Sequence, residues 1–308
     1  MSSSPSAGII NEKDCYPFPG FTSGDYPVHI STPLYLSGSL AYIAVVVLGG
    51  TLHVATWNFT TNTLTDLGTI ASDAYVGAPM ACWNADKTKI YIVILTANGS
   101  GTARVFEYVV ATNTATELGT TASFLASPSD IQFDAVTGTI FVAIVQGAKL
   151  HTLDPSDLAV ADLTETLLGN PYKIGVTAEY IYGFAEQSGE ITEGPVCRLH
   201  RGKGFFQEHL AGVSQFSAGG RDYATQAIPC YGDLNISGSA LDVNSGGEVV
   251  FGSMDNAGAK GLYFVDSNRQ VVRFEAVGND YRGLRFIAGD RFLSKFGYYT
   301  LRAHAISR

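Results

Sequence analysis

Asp130, Lys173 and Arg285 each fall within or beside a short apolar segment, over 129–133, 173–178 and 284–287. One acid and two bases gathered in one place would suit an anionic or carbonyl-bearing molecule, because they can orient it and polarise its carbonyl by hydrogen bonding. The plainer alternative is that Asp130 and Lys173 only hydrogen-bond neighbouring strands. Trp83, Tyr172 and Asn235 lie at comparable segment edges and are candidate substrate contacts. Arg221, Tyr223 and Tyr231 belong to a longer turn-rich stretch, 213–234, with Gly219-Gly220 as a hinge. Loops of such length in a compact domain tend to carry function. This one either caps a binding site, with Tyr223 and Tyr231 stacking on the ligand, or is a surface loop pinned by Cys230.

Other chemistries find little support. His29, His53, His151, His200, His209 and His304 include no pair at the i, i+2 or i, i+4 spacing that grips a metal. Cys15, Cys82, Cys197 and Cys230 show no metal or redox spacing; they read as buried thiols, with a Cys197–Cys230 disulfide as the sharper alternative. Neither a Gly-x-Ser-x-Gly elbow nor a phosphate-binding glycine loop is present, so no cofactor is expected. The 308 residues carry a net charge of -9 and only 15% charged side chains. That argues against nucleic acid, which needs a basic stripe, and against an anionic membrane. The longest apolar run, 40–48, is about half a membrane span, so a soluble protein is expected. The start has no basic stretch followed by an apolar one. A cytoplasmic location is therefore the default, and a secreted one would require a leader already removed.

Those side chains need elements to position them, and the elements are strands. Residues 42–48 are apolar throughout and β-branched, Gly49-Gly50 supplies a tight turn, and 51–59 alternates, with His53, Ala55, Trp57 and Phe59 on one face. Thr61-Asn-Thr-Leu-Thr-Asp-Leu-Gly68 returns as Thr112-Asn-Thr-Ala-Thr-Glu-Leu-Gly119, an offset of 51 with six of eight positions identical. Looser copies begin at Asp154, His200 and Asp266, each preceded by a strand pair. A period of roughly 45–50 residues with about four strands per unit predicts an all-β, single β-propeller domain over 1–308. Six four-stranded blades are expected. The sixth would come from 284–287, 291–296 and 298–305, closed by a strand near 28–36. Residues 1–27 are expected to cover one face. A pair of two-sheet sandwiches is the alternative, disfavoured because sandwiches do not repeat internally.

Gly49-Gly50 followed by Thr61-Asn-Thr-Leu-Thr-Asp-Leu67 resembles a Kelch repeat, over about one blade. In size and blade count the chain is similar to six-bladed propellers of the gluconolactonase class. That resemblance implies a metal at the axis, held by acids and amides of several inner strands. The inner-strand starts offer Tyr75, Asp130, Tyr172, Asn235 and Tyr281, one carboxylate and one amide. A Ca²⁺ site takes about six or more oxygens with more charge than that, so no metal is expected.

Propeller ligands sit at the channel mouth, a concave and convergent location. The first functional reading is therefore a small-molecule ligand in an asymmetric pocket at that mouth. It could undergo a metal-independent isomerase, lyase or cyclase reaction, such as a pericyclic cyclisation. Asp130, Lys173 and Arg285 would serve as the catalytic groups. The second reading is a structural or assembly propeller, for instance a phage tail or nozzle component, which would form an oligomeric assembly. A propeller lectin ranks third, because such proteins use a Trp-rich site between blades and this chain has only Trp57 and Trp83.

Overall fold

The computed structural model describes residues 8–15, 29–47, 50–73, 77–96, 101–122, 124, 128–144, 150–163, 173–184, 196–201, 207–211, 217–218, 221–222, 238–253, 261–266, 271–273, 281–287, 290–296 and 300–307. Among them there is no helix. In chain order the strands begin with β1 (Gly8–Cys15), β2 (His29–Ile30), β3 (Leu34–Ser37), β4 (Leu40–Val47), β5 (Thr51–Asn58) and β6 (Thr63–Ser72). They continue with β7 (Met80–Trp83), β8 (Lys89–Leu95), β9 (Ala103–Val109) and β10 (Thr114–Thr120). Next come β11 (Pro128–Asp134), β12 (Thr139–Ile144), β13 (His151–Leu153) and β14 (Val160–Asp162). After these stand β15 (Ile174–Val176), β16 (Tyr180–Phe184), β17 (Val196–His200), β18 (Gln207–Ala211), β19 (Ser217–Ala218) and β20 (Arg221–Asp222). The last are β21 (Gly238–Val243), β22 (Val249–Ser253), β23 (Gly261–Val265), β24 (Val271–Arg273), β25 (Tyr281–Phe286), β26 (Arg291–Phe296) and β27 (Thr300–Ser307).

Apart from the small β19–β20 hairpin, these strands form six antiparallel sheets, blades 1 to 6 in chain order. Blade 1 holds β2 to β6, blade 2 β7 to β10, blade 3 β11 to β14, blade 4 β15 to β18 and blade 5 β21 to β24. Blade 6 holds β25, β26, β27 and β1. The inner strands touch in a closed cycle, β3 to β7, β11, β15, β21, β25 and back to β3. The expected ring of six blades, with its ends joined, is what forms.

The closing strand differs from the expected one. Gly8–Cys15 pairs along β27 and forms the outer strand of blade 6, whereas 28–36 supplies the inner strands of blade 1. Pro33 has no N–H to give a ladder, so that inner strand is split into β2 and β3. Ser31 bridges the gap: its N–H donates to the Ala44 carbonyl at 2.8 Å, and its Oγ accepts from the Ala44 N–H at 2.9 Å.

The second strand of a blade lies between two neighbouring sheets, so both its faces are buried and it reads as continuous apolar sequence. β4, β8 and β12 are buried along almost their whole length, while the outer strands β6 and β10 are largely exposed. The apolar core is accordingly not one mass. Its six clusters each lie at a seam between adjacent blades.

The 51-residue echo is explained by the turn it builds. Asn62 and Asn113 adopt φ of 56° and 52°, a left-handed conformation that Asn tolerates. Each amide oxygen accepts a hydrogen bond from the preceding strand, from Trp57 Nε1 at 3.1 Å and from Tyr108 Oη at 2.9 Å. Trp57 and Tyr108 are fully buried, so the turn and the core specify one another.

Candidate functional site in the central channel

Each inner strand ends in a turn to the second strand, and that turn sets a common reference. Asn84 and Asn244 accept backbone N–H groups of their own turns, and Asp134 does the same with Val136 and Thr137. Ile287 closes the corresponding ladder position in blade 6 by donating to the Arg291 carbonyl. Two residues before these positions, on the same face of each strand, stand Cys82, Gln132, Asp242 and Arg285. A thiol, an amide, a carboxylate and a guanidinium thus occupy equivalent places. The scaffold repeats but its chemistry does not.

Arg285 dominates this layer. Its Nη1 donates to the Leu284 carbonyl at 2.8 Å. With the Gln132 amide turned so that its oxygen faces the guanidinium, the orientation that satisfies both groups, that oxygen accepts from Nη1 at 3.0 Å and from Nη2 at 2.9 Å. Gln132 belongs to blade 3, directly across a six-membered ring from blade 6, so the pair spans the channel. Asp242 Oδ1 lies 4.0 Å from Nη1, and its Oδ2 accepts the Phe286 N–H at 2.7 Å. Burial pushes the Asp242 carboxyl above its ordinary value, despite the opposing charge of Arg285. Burial likewise pushes the Cys82 thiol up to about 12, so Cys82 is a neutral wall and not a nucleophile.

The expected groups take definite places. Asp130 is buried, and its Oδ2 accepts the Ile174 N–H of the next blade at 3.2 Å. Lys173 Nζ donates to the Ser129 carbonyl at 2.6 Å. Both therefore tie neighbouring inner strands together. Trp83 lines the channel and donates through Nε1 to the Tyr35 carbonyl at 3.0 Å. Arg221 pairs with Ala218 in the small hairpin. Tyr172, Tyr223, Tyr231 and Asn235 lie outside the described residues, as do Cys230 and most of the 213–234 stretch.

A cavity of about 230 Å³ opens beside Arg285. Its walls come from Leu34 and Tyr35 of blade 1, Cys82, Trp83, Asn84, Ala85 and Lys87 of blade 2, Gln132, Phe133 and Ala135 of blade 3, and Arg285 with Phe286 of blade 6. It lies where the inner strands end in their turns, whereas the sequence placed the ligand where linkers lead into those strands. Gln132, Tyr35 and Phe133 were not singled out by sequence reasoning. Counting two residues back from each Asn or Asp turn would have found Gln132 and Asp242.

The donors present do not fit the metal implied by the gluconolactonase resemblance. No group of three or more His, Cys, Asp or Glu converges among the described residues. The two channel carboxylates are aimed at backbone N–H groups, and a guanidinium stands beside them. Away from the channel, Ser294 and His304 share a 2.7 Å hydrogen bond, but both are fully buried. Burial, with the nearby Arg302 charge, lowers His304 to about 3, so this pair is packing and not an activated nucleophile.

No protein-family model matches the chain, and no curated protein matches its sequence. Solved structures do. A structural-genomics protein of unknown function from Bacteroides thetaiotaomicron superposes with a TM-score of 0.61 at 11% identity, covering 98% of this chain and 76% of the other. A gluconolactonase from Xanthomonas campestris gives 0.58 at 13% identity, over 100% and 99%. The PQQ-bound aldose sugar dehydrogenase of Streptomyces coelicolor gives 0.61 at 10% identity, over 99% and 100%. At such identities the likeness is one of architecture, and it agrees with the six sheets joined in a cycle: the chain is a six-bladed β-propeller.

Proposed function

We propose that the protein binds a small organic molecule in the channel cavity, with Arg285 as its polar anchor. The observation that carries this reading is the asymmetry of the layer: one guanidinium, facing Gln132 across the channel, borders a cavity lined by Tyr35, Trp83, Phe133 and Phe286 beside Asn84 and Lys87. Few polar groups converging on an apolar concavity is the usual composition of a ligand site. If the ligand carries a carbonyl, Arg285 can polarise it in low-dielectric surroundings, and the channel walls hold its orientation. That chemistry suits an isomerase, lyase or cyclase. Asp130 and Lys173 support it by fixing the strands that carry Gln132 and Ile174.

The experiment is a thermal-shift screen of small lactones, ketones, sugars and carboxylates. Lactones and sugars are included because two structural neighbours are named as a gluconolactonase and an aldose sugar dehydrogenase. Binding that raises Tm in the wild type and disappears in Arg285→Met supports the reading. Identical shifts in both proteins would remove it. The lectin alternative loses its basis among the described residues, because Trp57 is fully buried and Trp83 faces the channel.

A further inference from the structure

We infer that the cavity selects a small planar carboxylate with an unsaturated or aromatic body, and that it is gripped by the Nε–Nη2 side of Arg285. This rests on the cavity being a ligand site and names what that site takes. A guanidinium has five N–H donors in two forks, one at the end between Nη1 and Nη2 and one at the side between Nε and Nη2. Here the end fork is filled by the Gln132 oxygen, and the other Nη1 proton goes to the Leu284 carbonyl. Among the described residues, Nε and the second Nη2 proton meet no acceptor.

Those two donors are parallel, at the spacing a carboxylate accepts in a bidentate pair. Asp242, the nearest acid, is on the Nη1 side, so the open fork is the one turned away from it. The cavity wall contains two cations, Arg285 and Lys87, and no Asp or Glu. Lys87 stands over the Tyr35 ring, 5.3 Å from its centroid, so positive charge flanks the cavity as well as backing it. Tyr35, Trp83, Phe133 and Phe286 supply flat apolar surface for the body of the ligand.

Size narrows the class further. A cavity of about 150 Å³ is enough for benzene, and the 230 Å³ here leaves room for one ring and its carboxylate.

Calorimetric titration of the intact wild-type protein with sodium benzoate and with benzamide tests this without any substitution. Benzoate is expected to bind at least tenfold more tightly than its neutral isostere. Arg285→Lys keeps the charge but loses the fork, and it is expected to weaken benzoate at least tenfold. Equal binding of benzoate and benzamide would overturn the carboxylate class and leave the ligand site standing. Full benzoate affinity in Arg285→Lys would overturn the fork. If benzoate fails while neutral lactones or ketones bind, the class is wrong. If nothing in either set binds, the site itself is wrong.

Discussion

Arg285 reaches across the channel to Gln132 and lines the cavity. Gln132 therefore positions the arginine, and Gln132→Leu should weaken ligand binding about tenfold by releasing the end fork, with little change in Tm; the same titration reads it. Two other polar groups act on stability instead. Asp134 is buried in a bidentate pair with Arg201, at 2.7 and 2.6 Å, which joins blade 3 to blade 4. Burial pushes the Asp134 carboxyl up, but hydrogen bonds from Arg201, the Thr137 hydroxyl and the Val136 N–H outweigh it and hold the carboxyl low. The pair's contribution is thus full above the ordinary carboxylate value, about 3.9, and is lost as pH falls below it. Removing one partner of such a buried pair costs about 3–5 kcal/mol, so Arg201→Met should lower urea-melt stability by that order. His304 titrates in the same direction but over a higher range. It is neutral when folded down to about 3, whereas the unfolded chain takes up its proton near 6.5. Stability should therefore fall progressively from pH 6.5 toward 3, and His304→Leu should flatten that limb. Asp130, Lys173, Arg285 and Trp83 were legible in the sequence as residues at strand edges. Gln132 and Asp242 were not, because an amide and a carboxylate in apolar strands look like surface residues until the turn reference is known.

At the scale of elements, the paired strands and tight turns could be read directly, since alternation, Gly-Gly and Thr-Asn each have a local cause. The Thr-Asn turn also makes a clear test. Asn113→Ala would force a residue with no side-chain acceptor into a φ of 52° and leave the Tyr108 hydroxyl without its partner. The left-handed conformation alone costs about 1–2 kcal/mol, so a Tm loss of several degrees is expected in calorimetry. Gly119 makes a second case: at φ 138°, a Cβ would sit 2.9 Å from Leu158 Cδ1 of the next blade. β1 was the element the sequence hid. Gly-Ile-Ile-Asn-Glu-Lys-Asp-Cys shows no strand alternation, and its pairing partner lies almost 300 residues away at the other end of the chain. Local pattern carries no trace of such a contact. A chain lacking residues 1–15 should expose the β27 edge and lose solubility, which light scattering would detect.

At the scale of the whole molecule, scarce charge follows from architecture. Six seams between blades require strands that are apolar on both faces, so few positions are left for charge. Against that background, a guanidinium beside a cavity on the central axis stands out, and the repeat explains why it does so once: blades 2, 3, 5 and 6 supply the same place, and among these four blade 6 alone fills it with arginine. The ring could be inferred from period and closure, but which end of the channel holds the cavity depends on how side chains from four blades meet. The most direct test is a crystal structure of the wild-type protein with the tightest ligand from the screen. Electron density for that ligand beside the Nε and Nη2 atoms of Arg285, between Tyr35 and Trp83, is the expected result. Density at the opposite mouth, with only water beside Arg285, would contradict it.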